Sequence, residues 1–309
     1  MPLELPRRDF FKRAAFASAG LAGVAAGMHS SASAAEPIAR NGKPKFKFSL
    51  AAYSYRGLLS GEKPQLTMED FIADCAKMGL EGTELTSYYF PETPSGEYLR
   101  RLKHACFRLG LDISGTAIRN DFCHPAGEQR DKEIAHVKRW IDYAETMGAP
   151  VIRIFSGKAR GDQMPEKAHQ LAVDGMKECC DYAGRHGVFL ALENHGGLTA
   201  DISDLLRLIK DVKSHWFGVN LDTGNFHACA TAEEAYADMA KMAPYALNVQ
   251  VKTSVTLKGR KKVESDFSRL AKILGDAGYR GYIVLEYEER DDPREACPRF
   301  VEKLRGAFA

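Results

Sequence analysis

Four segments in the second half of the chain end in residues able to do acid–base or metal chemistry. They are Ala191–Gly197 (ALENHGG), Val219–His227 (VNLDTGNFH), Leu247–Lys252 (LNVQVK) and Ile283–Glu288 (IVLEYE). Each opens with alternation of residue type. In the third, Leu247, Val249 and Val251 oppose Asn248, Gln250 and Lys252; in the fourth, Ile283, Leu285 and Tyr287 oppose Val284, Glu286 and Glu288. A period of two turns one set toward covering elements and the other inward. Glu193, Asp222, Gln250 and Glu286 therefore share an inward direction at four consecutive strand ends. Oxygen-bearing side chains so gathered describe a cup for a metal ion rather than a core, because unpaired buried carboxylates are costly.

The elements that must position these residues alternate in type. Strand patterns cover Phe46–Tyr55, Gly82–Ser87, Leu111–Ala117, Val151–Gly157, Phe189–Asn194, Phe217–Asp222, Ala246–Lys252 and Gly281–Glu288. Helical patterns follow them: from Thr67, a predicted N-cap, to Gly79, then Glu97–Leu109, Glu128–Met147, Pro165–His186, Asp201–Val212, Ala232–Met242, Asp266–Ala277 and Arg294–Arg305. Eight strand–helix units over residues 46–309 have the size and rhythm of a single-domain α/β (β/α)8 TIM barrel. A doubly wound open sheet is disfavoured, because no Gly-rich nucleotide turn is present. In a barrel every strand C-terminus meets one rim, so ligands far apart in sequence converge there.

In this order, with one strand–helix unit between each, the motifs LENHGG (Leu192–Gly197), LDTGNF (Leu221–Phe226), VQVK (Val249–Lys252) and LEYE (Leu285–Glu288) resemble those of the xylose isomerase-like sugar isomerase/epimerase family. The resemblance spans about residues 46–305. It implies a divalent metal held by Glu193, Asp222, Gln250 and Glu286, and proton abstraction next to a carbonyl with Glu193 and Glu286 as the exchanging groups. Gln250 departs from the family's frequent histidine. Its carbonyl oxygen has similar reach, and an all-oxygen site favours Mn²⁺ or Mg²⁺ over Zn²⁺. By alternation His195, Lys252 and Glu84 become candidates for substrate contacts, and Arg153 for pairing with an inward carboxylate. Tyr53, Tyr55, Tyr88, Tyr89, Phe90 and Phe122 fall near rim positions, where aromatic rings can stack on a sugar. Two reactions follow from the resemblance: isomerisation or epimerisation of a keto sugar, and elimination from, or hydration of, a 3-keto glycoside. A non-catalytic carbohydrate-binding barrel is the alternative outside enzymology.

The first residues read as an address. Pro6–Arg13 (PRRDFFKR) precedes a small-residue apolar stretch, Ala14–Ala26, and an A-x-A pattern at Ala32–Ala34. This resembles a twin-arginine export signal over residues 1–35, followed by a polar linker over 36–45, and implies a protein exported folded to the periplasm or beyond. The apolar stretch is too short for a permanent span, so no stable membrane insertion is expected after signal removal. Arg7, Arg8, Lys12 and Arg13 against Glu4 and Asp9 account for the whole net charge of +2, which leaves the remainder neutral and gives no grip for nucleic acid. The segment after the last strand, Glu288–Pro293 (EERDDP), is acidic and suits an unphosphorylated carbohydrate. The basic run Lys258–Lys262 reads as a solvated loop, and seven cysteines without a C-x-x-C pair read as buried free thiols. The sequence leaves homo-oligomerisation and the identity of the sugar open.

Overall fold

A computed structural model describes residues 36–309. The export signal expected over residues 1–35 lies outside them.

Eight parallel strands close into a barrel. In chain order they are β1 (Lys45–Ala51), β2 (Gly82–Thr86), β3 (Asp112–Ala117), β4 (Val151–Ile154), β5 (Phe189–Glu193), β6 (Phe217–Asp222) and β7 (Ala246–Val251). A two-stranded antiparallel hairpin of β8 (Ser254–Thr256) and β9 (Lys262–Glu264) intervenes before the last barrel strand, β10 (Arg280–Leu285). β10 pairs with β7 on one side and closes the ring against β1 on the other, from Lys45 opposite Arg280 to Leu50 opposite Leu285. The open-sheet alternative is thereby excluded.

Each crossover carries a helix, and all but Glu128–Met147 start at a side-chain cap or a proline. The side chains of Thr67, Ser95, Asp201, Thr231, Asp266 and Asp292 accept hydrogen bonds from first-turn amides of helices Met68–Lys77, Gly96–Arg108, Ile202–Val212, Ala232–Met242, Phe267–Asp276 and Pro293–Ala307. Helix Pro165–Arg185 uses proline in its first turn instead, where a missing N–H costs nothing. Apolar stripes of these helices pack on the outward faces of the strands, with Leu205, Leu208, Ile209, Met239 and Leu274 fully enclosed. All seven cysteines are free and buried in this layer or near it. Among the described residues, no helix is long and apolar enough to cross a membrane.

Three local features differ from the alternation pattern. The first strand ends at Ala51, and Ala52–Tyr55 turn as a 3-10 helix across the rim. β10 ends at Leu285, so Glu286–Glu288 lie in the segment beyond the ladder. The hairpin around the exposed turn Lys258–Arg260 is docked: Thr256 N–H donates to Gly224 O, and Phe226 N–H to Thr256 O. The linker is also held. Arg40 donates to the carbonyls of Pro244, Ala277 and Ala246 beneath the barrel.

Candidate active site

The strand C-termini place two polar layers, one above the other, inside the barrel. The lower layer is a closed amide–carboxylate network. Asn248 Nδ2 donates to Glu84 Oε2 (2.9 Å) and to Asn220 Oδ1 (2.9 Å). Gln250 Nε2 donates to Glu84 Oε1 (2.7 Å), while its own Oε1 accepts from Asn220 Nδ2 (2.7 Å). Register shifts between Thr83 and Glu84 and between Val219 and Asn220 aim two of these four side chains. Burial raises the proton affinity of Glu84, against the pull of Arg153 and its amide donors.

The upper layer faces a pocket of about 230 Å³. Its walls carry Glu193, His195, Lys252, Glu286 and Glu288, with Tyr53, Tyr88, Arg119, Arg153 and Phe155 completing the rim. Two cationic centres divide the carboxylates. Arg153 Nε sits 2.9 Å from Glu193 Oε2, and its other nitrogens donate to Ile118 O (2.8 Å) and Tyr88 Oη (3.0 Å). Lys252 Nζ lies 3.1 Å from Asp222 Oδ2, 3.3 Å from Glu286 Oε2 and 3.2 Å from Glu288 Oε2.

The charges respond unequally. Burial alone would raise Glu193, but Arg153, the His195 hydrogen bond and Lys252 hold it well below the usual carboxylate range. Burial raises Glu286, and neighbouring Asp222, Glu193 and Glu288 add to that despite Lys252. Asp222 is raised for the same first reason, with Lys252 opposing. Burial would lower Lys252, yet its surrounding carboxylates outweigh it and keep the ammonium charged. His195 Nδ1 meets Glu193 Oε1 at 2.7 Å; burial lowers its proton affinity, and the Glu193 contact more than restores it.

The residues singled out from sequence thus occupy different stations. Glu193, Glu286, His195 and Lys252 share the pocket. Glu84, expected to touch substrate, has both oxygens engaged below it and is 1% exposed. Gln250, expected among the metal ligands, spends both terminal atoms on Asn220 and Glu84. Arg153 has its expected carboxylate partner, Glu193. Asn194 locks two strand ends together, donating to Asp222 O and accepting from Asp222 N–H, both at 2.9 Å. Arg119 is a pocket residue that alternation did not single out, since it lies beyond the end of β3; Glu288, on the alternation face of Glu286 but not named as a site residue, lines the pocket too.

A divalent ion held by Glu193, Asp222, Gln250 and Glu286 needs their free oxygens on one centre. Here Glu193 is held by Arg153, His195 and Asn225, and Gln250 by its amide neighbours. Asp222 Oδ1 accepts from Gly224 N–H (2.7 Å), and Asp222 Oδ2 and Glu286 Oε2 face an ammonium. Among the described residues no group of three or more His, Cys, Asp or Glu is disposed to hold a metal. The arrangement does not fit the expected ligand set.

Comparison with known proteins agrees with the architecture. The inosose dehydratase of Erwinia tasmaniensis is 25% identical over 297 residues, covering 83% of this chain and 94% of its own. The D-psicose 3-epimerase of Clostridium cellulolyticum H10 superposes with a TM-score of 0.70 at 14% identity, over 85% of this chain and 99% of its own. The 3-keto-D-glucoside 4-epimerase YcjR of E. coli gives 0.67 at 15% identity, over 85% and 100%. The xylose isomerase-like TIM barrel family matches residues 72–305, and the closed eight-stranded barrel agrees with that match: the chain belongs to this family.

Proposed function

We propose that this protein moves a proton at a carbon next to a carbonyl of an unphosphorylated carbohydrate, as an isomerase or epimerase or, when a hydroxyl is lost, as a dehydratase. One observation carries the reading: Glu286 and the Glu193–His195 pair line the same pocket from strand ends separated by β7 and β6, with the Lys252 ammonium between them. A substrate lying across that pocket has a proton acceptor on one side and a proton-bearing imidazole on the other. Glu286 takes the proton, and the C–H electron pair becomes a C=C bond as the carbonyl electrons move to oxygen. Return of a proton to the opposite face of the same carbon gives the epimer; its return to the former carbonyl carbon, with a proton passing between the two oxygens, gives the positional isomer. Departure of a neighbouring hydroxyl as water, protonated by His195, gives the dehydrated ketone and restores the carbonyl. Glu193 orients the imidazole and favours its charged form, and Arg153 keeps Glu193 ionised. An inosose dehydratase and two sugar epimerases among the similar proteins support both outcomes, because removal of an α-proton opens either route.

A second reading, elimination from a 3-keto glycoside, is favoured by a neighbouring hollow of about 280 Å³. It shares Phe155 and His195 with the first pocket and is also lined by Asn120, Asp121 and Lys158, offering room for a group attached to the sugar. Export directed by the twin-arginine pattern at Pro6–Arg13 puts such substrates within reach.

Incubation with keto sugars and 3-keto glycosides in D₂O, followed by NMR, tests the reading. Deuterium is expected next to the carbonyl, and Glu286→Gln should slow its entry by about 100-fold or more. Release of the attached group from a glycoside selects the second reading. Neither exchange nor release across the panel rejects catalysis and leaves a carbohydrate-binding barrel.

A further inference from the structure

Lys252 is unusual for a lysine at the mouth of a barrel. Its side chain is 7% exposed as a residue, and its ammonium makes three carboxylate contacts between 3.1 and 3.3 Å. The three contacts are ion pairs and none is a hydrogen bond: Asp222 Oδ2 is buried without a hydrogen-bond partner. The stem is accommodated by design of the backbone beside it. A Cβ on Gly224 would lie 2.4 Å from Lys252 Cδ and 3.0 Å from its Cβ, so only glycine lets the stem pass. Gly224 N–H also fixes Asp222 by donating to Oδ1, leaving Oδ2 for the ammonium. The main chain at Lys252 is pinned from both sides, by Thr223 Oγ1 accepting from its N–H (2.9 Å) and Ser265 Oγ donating to its carbonyl (2.7 Å). Gln250, two residues earlier, is turned down into the lower network.

We propose that the Lys252 ammonium is the resident cation of this site, standing where the family resemblance leads one to expect a divalent metal ion. It is the cation that Asp222, Glu286 and Glu288 all face, and its N–H groups are the positive pole toward which the substrate carbonyl oxygen points. When the α-proton leaves for Glu286, the negative charge that develops on that oxygen is met by an N–H donor already in position and still protonated. Stabilisation of an enolate by fixed donors in a dry pocket needs no metal. Glu288 is the partner with the most exposure of the three and the one an incoming oxygen displaces most easily.

The proposal rests on the proton-transfer reading for what the ammonium does, but its occupancy of the seat is tested apart from any reaction. A metal ion and the ammonium compete for the same oxygens, so removing the ammonium should open the cup. Purified full-length protein is dialysed against EDTA and then titrated with Mn²⁺ alone, free ion being followed by electron paramagnetic resonance. Wild type is expected to hold no stoichiometric Mn²⁺ site. Lys252→Met should bind Mn²⁺ at least about tenfold more tightly, since one positive charge a few ångströms away is gone. Gly224→Ala, which forces the stem aside, should move in the same direction. EDTA should leave deuterium exchange unchanged, whereas Lys252→Met should lose it. A stoichiometric, tight Mn²⁺ site in wild type overturns the proposal and needs no variant to fold; so does unchanged or weaker Mn²⁺ binding by a folded Lys252→Met. Absence of deuterium exchange together with the expected Mn²⁺ pattern rejects the reaction and keeps the lysine seat, while exchange that vanishes with EDTA keeps the reaction and rejects the seat.

Discussion

Arg153 decides whether Glu193 can exist as a carboxylate inside the barrel. Both are nearly fully buried, their charged contact is 2.9 Å, and the other guanidinium nitrogens donate to Ile118 O and Tyr88 Oη, which leaves Nε with Glu193 as its only charged neighbour at that distance and no hydrogen-bond partner. A buried pair of this kind adds little net stability, but removing one partner strands the other. Arg153→Met should therefore cost about 3–5 kcal/mol in urea unfolding, and the double change Arg153→Met with Glu193→Gln should recover part of that loss, because no buried charge of the pair is then left uncompensated. A double variant no more stable than Arg153→Met alone would contradict this account. The same residues mark how far alternation reads. It gave the inward direction of Glu193, Asp222, Gln250 and Lys252, because a strand permits only two faces. It could not give depth. Gln250 and Lys252 share a face, yet one is tied to Glu84 below and the other is wrapped by carboxylates above. Which oxygen a given amide or ammonium meets depends on strands distant in sequence, and no local pattern carries that. Glu288 shares the alternation face of Glu286 but was not named among the site residues; both lie past Leu285, and the contact with Lys252 that makes Glu288 a pocket residue comes from another strand end.

At the scale of elements, one helix start was read from a cap, and it is the one the structure marks most fully. That cap is Thr67: its Oγ1 accepts from Asp70 N–H (3.1 Å) while Asp70 Oδ2 accepts from Thr67 N–H (2.9 Å). Thr67→Ala should lower stability by about 1 kcal/mol and shift the melting temperature by a few degrees without altering substrate exchange; no shift would mean that water replaces the cap at no cost. Helices Glu128–Met147 and Ala232–Met242 and strand Phe217–Asp222 begin and end where sequence periodicity sets them, since a cap, a turn glycine or a change of period stands at each boundary. Gly148, at φ 79°, closes the first of these in the left-handed region that glycine enters freely. The hairpin of β8 and β9 was read only as a solvated basic loop. Its two strands are three residues each, too short for a periodic signal, and its place is set by contacts to the loops after β6 and β10. Glu289 accepts from Ser254 Oγ (2.8 Å) and from Lys262 (3.1 Å), so the hairpin braces the segment that carries Glu286 and Glu288.

For the whole molecule, the barrel and the export proposed from Pro6–Arg13 bear on each other through the thiols. A protein sent out as a linear chain and folded in an oxidising compartment exposes every cysteine while it folds, and an odd number invites mispairing. A chain that folds first presents only its surface. Here all seven cysteines are buried, and burial pushes each thiol up, away from the reactive thiolate, Cys106, Cys179 and Cys297 to about 12. They are spread from Cys75 to Cys297, so no single unfolded segment accounts for their protection; the closed barrel and its helical coat do. Fractionation of expressing cells followed by thiol counting joins the two ideas. Wild-type protein is expected in the periplasm with its thiols unreactive to an aromatic disulfide reagent when native and all seven reactive in denaturant. Changing Arg7 and Arg8 together to Lys should leave the protein in the cytoplasm, folded and with the same count. Normal periplasmic delivery of that double variant would reject the export signal. A disulfide in the exported protein would instead mean that the barrel opens after transport far enough for two of its buried sulfurs to meet.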